Sequence, residues 1–120
     1  NVVSSNRVQE NGGFGIVLWY SSNNILSANL VMGNSQAIHN TYAGINLPGI
    51  SNHNSIQGNT IRMGEATPQQ AYGVRISMSS CNGNLVINND LYQAGATADY
   101  ADSGTGTIYH NNRITTGWVP

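Results

Sequence analysis

The sequence predicts an all-β solenoid, and the main observation behind this prediction is an internal repeat. The motif Asn-x-(Val/Leu/Ile)-x-x-Asn-x-(Val/Ile/Leu) occurs five times along the 120 residues, the last time in a looser form that begins at Thr107. The second Asn of each copy follows the previous one by 23, 30, 30 and 23 residues. Repeats of this length are typical of chains that stack one small structural unit on the next. The second-position asparagines are Asn6, Asn29, Asn59, Asn89 and Asn112.

A second repeated element lies between the motif copies. Residues 15–18, 44–47 and 73–76 read GIVL, GINL and GVRI, and residues 97–100 read as a degenerate fourth copy. Apolar residues on either side of an outward one show the period of two of a half-buried strand. Each turn is therefore expected to contain three short strands: one Gly-led strand and two motif strands. One turn cannot bury its own apolar positions, so the turns must stack.

The second Asn of each motif is expected to form a sharp corner between two strands. A one-residue bend needs positive φ, which Asn tolerates better than most residues. Its side-chain amide can also bond the equivalent amide in the turns above and below, as in other stacked β structures. We therefore predict an amide ladder that consists of Asn6, Asn29, Asn59, Asn89 and Asn112.

Residues 15–31, which read GIVLWYSSNNILSANLV, follow the turn pattern GI.L..S.NN.I..N.I. This pattern resembles the right-handed parallel β-helix (pectate-lyase-like) superfamily, and residues 102–107 with Asn111 and Asn112 look like closing turns of bacterial and phage members. The resemblance covers almost the whole chain. It implies a right-handed parallel β-helix of about five turns with three short strands in each turn. Residues 1–120 are expected to form a single domain. This domain is expected to be part of a longer β-helix or to be a unit that assembles with others. The superfamily hosts lyases, hydrolases, epimerases, phage spikes and inert spacers, so the fold does not decide the function.

Composition excludes several classes of protein. Only 8% of the residues are charged and the formal net charge is -1, so electrostatic binding of nucleic acid or of an anionic membrane is not expected. The longest apolar stretch, residues 14–20, is far shorter than the roughly 20 residues of a membrane-spanning helix. No targeting segment is visible. Together with the resemblance, these features predict an extracellular or cell-surface protein, either secreted or associated with a virion.

Neither a cofactor nor a metal is predicted. Cys81 is the only cysteine, so the chain has no internal disulfide and no cysteine spacing typical of a metal site. The three histidines are expected in a loop, His39, and in two corners, His53 and His110. They would then share no face.

The candidate site is the outward face of the Gly-led strands. The outward positions are expected to align as one row of Val17, Asn46, Arg75 and Asp99 and a second row of Trp19, Pro48, Ser77 and Ala101. The longer loops 33–43 and 64–72 would bring His39, Tyr42, Glu65 and Tyr72 to the edge of this face. A polar floor between aromatic walls suits sugar rings. The predicted contact residues are Trp19, Asn46, Arg75, Asp99, Tyr42 and Tyr72.

The sequence leaves open whether the chain is an enzyme. If it is, the resemblance implies a polysaccharide lyase or a glycoside hydrolase. Hydrolysis needs two carboxyl groups beside the scissile bond, and of the five acidic residues only Asp99 and Asp102 are expected to lie close together. The carboxylate cluster of a calcium-dependent lyase is missing. In the plant-pectin hydrolases, a strand resembling residues 73–76 carries a substrate-binding Arg, which makes Arg75 a further weak catalytic candidate. An ion pair between Arg75 and Asp99 is the structural alternative.

Two hypotheses from different classes therefore remain. In the first, the chain is an extracellular module that binds polysaccharide or helps to process it. In the second, it is a structural solenoid that stacks into a fibre or oligomer, because few charges protect its strand edges from pairing with other copies. Self-association is expected in the second case. At the carboxyl end, Trp118 is expected to fold over the last turn.

Overall fold

The protein is an all-β solenoid in the computed structural model, which describes residues 1–119. None of the described residues forms a helix long and apolar enough to cross a membrane. The strands are β1 (Val2–Ser4), β2 (Arg7–Gln9), β3 (Ile16–Val17), β4 (Ile25–Ser27), β5 (Leu30–Met32), β6 (Ala43–Leu47), β7 (Ser55–Gln57), β8 (Thr60–Arg62), β9 (Tyr72–Ile76), β10 (Leu85–Ile87), β11 (Ala98–Asp102), β12 (Ile108–His110), β13 (Asn112–Ile114) and β14 (Gly117–Val119).

Three parallel sheets run along the solenoid. The first motif sheet has the order β1-β4-β7-β10-β12, the second motif sheet β2-β5-β8, and the Gly-led sheet β11-β9-β6-β3. Isolated bridges from Thr60 to Asp90 and from Asp90 to Arg113 continue the second motif sheet. Every neighbour in a sheet comes from the next turn, so the predicted parallel β-helix is confirmed.

The core consists of aliphatic columns. Parallel register places each apolar motif residue on its equivalent in the next turn. Burying such a side chain contributes about 1.5–3 kcal/mol. The columns contain Leu26, Ile56 and Val86 in the first motif sheet, Val31 and Ile61 in the second, and Ile45 and Val74 in the Gly-led sheet.

A stacked tyrosine pair closes the core in the last turn. Tyr109 lies beside Val86 and Tyr100 beside Val74, and the two tyrosine rings are 3.9 Å apart at an angle of 12°. Burial raises the pKa of Tyr109 to about 12. Burial, and then the negative charge of Asp102, also raises the pKa of Tyr100. Both phenols therefore stay neutral at physiological pH.

The corners differ from the prediction in one respect. The ladder asparagines do not have positive φ. The residue before each of them does: Ser5, Ala28, Gly58, Asn88 and Asn111. These residues are all exposed. Our assignment of the left-handed bend to the Asn itself was wrong. The preceding residue, which is exposed to solvent, adopts the positive φ, and the Asn side chain directs its amide into the ladder.

The last turn ends in a hairpin. Strand β14 pairs antiparallel with β13, so that Arg113 faces Trp118. The side chain of Trp118 is 67% exposed. The backbone of β14 thus covers the edge of β13, and the indole does not fold over the turn as expected.

Candidate functional site

A continuous ladder of amides runs through the second corner of each turn. Each Nδ2 donates to Oδ1 of the equivalent Asn in the next turn, at 3.1 Å for the first pair and 3.0 Å for the other three. The backbone N–H of each donor bonds the same oxygen. Asn59, in the middle, is 1% exposed. The ladder contains Asn6, Asn29, Asn59, Asn89 and Asn112.

Two further ladders were missed from the sequence. One joins the first Asn of four motif copies, namely Asn1, Asn24, Asn54 and Asn84. The repeat itself held that signal, since these positions recur as regularly as the second Asn. The other joins Asn11, Asn34 and Gln70 before the Gly-led strands. Because the third member is a Gln and not an Asn, the sequence repeat did not reveal this ladder. All three ladders hold one turn to the next, so surface chemistry must be sought outside them.

An apolar concavity of about 550 Å³, here called the aromatic cavity, lies on the outward face of the Gly-led sheet. The side chains of Trp19 and Tyr20 are 68% and 67% exposed. Their ring centroids are 6.2 Å apart and their planes differ by 27°. The lining residues are Phe14, Val17, Trp19, Tyr20, Asn46, Pro48, Gly49 and Met78.

Three consecutive turns build the aromatic cavity. Trp19 and Tyr20 follow β3, Gly49 follows β6 and Met78 follows β9. A Cβ at Gly49 would lie 2.8 Å from Cε2 of Tyr20, and Gly49 has φ +73. Only glycine therefore lets the Tyr20 ring rest on this backbone without strain. The N–H of Gly49 also donates to Sδ of Met78 at 3.2 Å, which joins the second and third of these turns.

The structure separates the predicted contact residues. Trp19 and Asn46 line the aromatic cavity, and Ser77 Oγ donates to Oδ1 of Asn46 at 2.6 Å. The ring centroids of Tyr42 and Phe14 are 4.9 Å apart at an interplanar angle of 76°, so Tyr42 contacts a lining residue of the cavity edge to face. The guanidinium of Arg75 lies 5.1 Å from the centre of the Tyr72 ring. Tyr42, Tyr72 and Arg75 do not themselves line the aromatic cavity.

The predicted alignment of Asp99 was wrong. Strand β11 pairs with β9 so that Ala101, not Asp99, lies beside Arg75. The Asp99 carboxylate accepts the N–H of Ala94 at 2.8 Å and that of Thr115 at 2.7 Å. Asp102 accepts the N–H of Gly104 at 2.7 Å. The hydrogen bonds of both carboxylates thus secure the backbone of the last turns.

The two glutamates line a second concavity of about 410 Å³, here called the acidic cavity. The sequence placed Glu65 at the edge of the Gly-led sheet and paired no carboxyl group with Glu10. These residues come from separate turns, so no local motif could show that they line the same cavity. The lining residues are Glu10, Met32, Gly33, Gln36, Gly64, Glu65, Ala66 and Thr67.

A charged cluster on the second motif sheet was also missed. Nη2 of Arg62 lies 2.6 Å from Oδ2 of Asp90, and Nη1 of Arg113 lies 3.4 Å from the same oxygen. Burial acts to raise the pKa of Asp90, but the hydrogen bonds from Arg62 and the Tyr92 N–H, with the two arginine charges, outweigh it and lower this pKa. The sequence did contain a signal for this cluster: Asp90 and Arg113 each follow a ladder Asn directly, so they occupy equivalent positions in neighbouring turns.

Possible metal ligands are dispersed. Within residues 1–119, no three His, Cys, Asp or Glu side chains are grouped so that they could hold an ion. Nδ1 of His39 accepts the N–H of Gln69 at 3.0 Å. The thiol of Cys81 is fully buried and donates to the carbonyl oxygen of Gly49 at 3.3 Å.

Comparison with known families supports the architecture. The model of the family described as periplasmic copper-binding protein (NosD), a family of parallel β-helix proteins, matches residues 1–116. No curated protein and no solved structure matches the chain significantly. The family description agrees with a location in the cell envelope, whereas the pectate-lyase-like assignment stays a prediction. Since the match spans nearly all of the chain, the protein belongs to the NosD family.

Proposed function

We propose that this chain is a β-helix module of the cell envelope that binds polysaccharide through the aromatic cavity. One observation carries the proposal: Trp19 and Tyr20 hold two large rings about two-thirds exposed beside a concavity of about 550 Å³. Soluble proteins seldom expose adjoining large apolar side chains without a binding role. The volume lies within the range of ordinary ligand sites, about 300–1,000 Å³.

The chemistry of the aromatic cavity suits a sugar ring. The C–H face of a pyranose is apolar and packs on an aromatic ring, while its hydroxyls need polar partners at the edge. Asn46 supplies one polar group, and the hydrogen bond from Ser77 fixes the orientation of its amide. Both rings, Trp19 and Tyr20, stay about two-thirds exposed, so a sugar can reach them from solvent.

The proposal is for binding rather than for cleavage. Asp99 and Asp102, the weak catalytic candidates from the sequence, bond backbone N–H groups of the last turns. The other pair, Glu10 and Glu65, lines a different cavity. Within residues 1–119, no carboxyl side chain lines the aromatic cavity, where the sugar would lie. The paired acids of a glycosidase therefore do not meet at the proposed binding surface.

Copper, which the family description names, does not fit the described residues. Copper is bound by imidazole nitrogen and by thiolate or thioether sulfur. His53 precedes β7 whereas His110 belongs to β12, two turns away. Met32 and Met78 line different cavities, and Cys81 is fully buried. We therefore derive no copper chemistry from residues 1–119.

Stacking of chains into a fibre, the second hypothesis from the sequence, stays a prediction that an assembly experiment would test. Self-association stays a prediction for the same reason. Neither is needed for the aromatic cavity, whose lining residues all come from one chain.

The direct test removes the larger ring. Trp19→Ala should weaken binding to glycans retained by the wild-type chain by about tenfold or more, since a stacking surface is lost. His110→Ala, in β12 of the first motif sheet, is the matched control and should bind as the wild type does. Affinity electrophoresis across a panel of acidic and neutral polysaccharides measures both variants. Equal retention of Trp19→Ala and wild type on every glycan would rule out the proposal.

A further inference from the structure

We infer that the ligand of the aromatic cavity is a neutral polysaccharide whose sugars carry methyl or acetyl groups, rather than a polyuronic acid. This inference rests on the proposed function and narrows its ligand class. The sequence favoured a site with Arg75 and Asp99, which would select charged sugars. The cavity contains neither residue.

Among the residues that the structure describes, no charged side chain lines the aromatic cavity. Of the four basic residues, Arg7, Arg62 and Arg113 lie in β2, β8 and β13, away from the Gly-led sheet. The fourth, Arg75, is the strand neighbour of Asn46, but its guanidinium lies 5.1 Å from the centre of the Tyr72 ring and it does not line the cavity. A sugar carboxylate placed on Trp19 would therefore lose water without gaining a cation, which disfavours its binding.

The walls of the aromatic cavity offer more apolar surface than ring stacking requires. Val17 and Met78 are 39% and 47% exposed, and Phe14 and Pro48 complete the lining. Hydroxyl groups pressed against such walls would lose hydrogen bonds to water. Methyl and acetyl groups would instead bury apolar surface there, with an expected gain of roughly fourfold in affinity for each methyl group buried.

The flexible side chain of Met78 suits substituents of different shape. A thioether chain has three rotatable bonds and adapts to irregular apolar groups. The hydrogen bond from the Gly49 N–H holds the sulfur at 3.2 Å, so the adaptable part is the terminal methyl group, which rotates about the Cγ–Sδ bond. Selectivity should therefore follow the apolar character of the substituent more than its shape, so that esters and acetyl groups are both accepted.

Two matched pairs of probes test the inference by calorimetry on the whole chain. The first pair is a methyl-esterified polyuronide and its saponified form, which differ in the ester methyl group and the charge. The second pair is a partly acetylated mannan and its deacetylated form, which are both neutral. We expect at least a threefold preference for the substituted member of each pair. Val17→Thr, which replaces a wall methyl by a hydroxyl in the same shape, should reduce that preference.

Other outcomes separate the two proposals. Equal affinities within both pairs, or a preference for the saponified form, with binding still sensitive to Trp19→Ala, would overturn this inference and leave the proposed function intact. Binding of the probes that is unaffected by Trp19→Ala would overturn both. A preference within the pairs that Val17→Thr does not change would also contradict the inference, because the wall would then not select the ligand.

Discussion

The asparagine corners and the outward face of the Gly-led sheet use the same stacked turns in opposite ways. At the corners, each turn repeats the last, so that an Asn meets an Asn and every amide finds a partner. On the outward face, the turns differ: aromatic rings follow β3, Pro48 and Gly49 follow β6, and Ser77 and Met78 follow β9. Repetition thus serves cohesion, whereas the departure from repetition creates a concavity.

The two regions should therefore respond differently to substitution. A buried amide that loses its partner stays desolvated without a hydrogen bond. Removing an Asn from the buried middle of a ladder should therefore reduce the stability more than removing one from an exposed end. Removing an exposed aromatic ring should reduce the binding surface and change the stability of the fold only slightly. Substitutions in the two regions test this contrast.

Asn59→Ala should destabilise the protein by about 3 kcal/mol, since it leaves several buried polar groups without partners. The lost Oδ1 accepts both the N–H and the Nδ2 of Asn29, and the lost Nδ2 donates to Leu26 and to Asn89. Urea unfolding measures the change.

Asn6→Ala is the matched control, at the same motif position but exposed in the first turn. Its loss should be below about 1 kcal/mol, because water can replace the amide. A loss equal to that of Asn59→Ala would show that the ladder does not act through burial.

Gly49→Ala should cost about 1 kcal/mol and weaken glycan binding together with stability. The position has φ +73, and the new Cβ would displace the ring of Tyr20. Gly13→Ala serves as the control, since a Cβ there meets no atom within 4 Å. Thermal unfolding and affinity electrophoresis read out the two effects. Unchanged binding by Gly49→Ala would mean that the position of Tyr20 does not matter.

Thr107→Asn should stabilise the protein by about 1 kcal/mol by extending the ladder that now ends at Asn84. Within residues 1–119, the buried Oγ1 of Thr107 has no hydrogen-bond partner. An Asn at this position would offer its Oδ1 to Asn84. A higher urea midpoint is the expected result, while Thr107→Ser should give no gain. A lower midpoint for Thr107→Asn would show that the last turn cannot accept the amide.

Acid should weaken the charged cluster slightly. The pKa of Asp90 is lowered in the fold, so its interactions stabilise the protein above the unfolded pKa, about 4, and are lost as the pH falls through the folded value. The side chains of Asp90 and Arg62 are about 30% exposed, so the effect should stay below about 1 kcal/mol. Asp90→Asn should show a flatter decline of stability as the pH falls from about 5, roughly one unit above the unfolded pKa, to about 2. Identical pH profiles for variant and wild type would contradict the role of Asp90.

The parallel β-helix and its buried columns follow from the sequence repeat. The motif repeats with apolar residues at fixed offsets, and only stacked turns bury all of them at once. The same repeat located the asparagines that form the ladder, because identical side chains at identical positions must meet in parallel register. Local pattern and global fold agree in these parts of the chain.

Tertiary structure alone decided the position of β11, the bends and the two cavities. Displacing a strand by two residues leaves the same side chains facing outward, so alternation could not distinguish Asp99 from Ala101 beside Arg75. The bend before each ladder Asn depends on which residue faces solvent. Glu10 and Glu65 line one cavity, and Trp19 and Met78 line the other, only because separate turns stack. Periodicity records which face a residue occupies, whereas contacts between unlike turns depend on how the non-repeating segments pack.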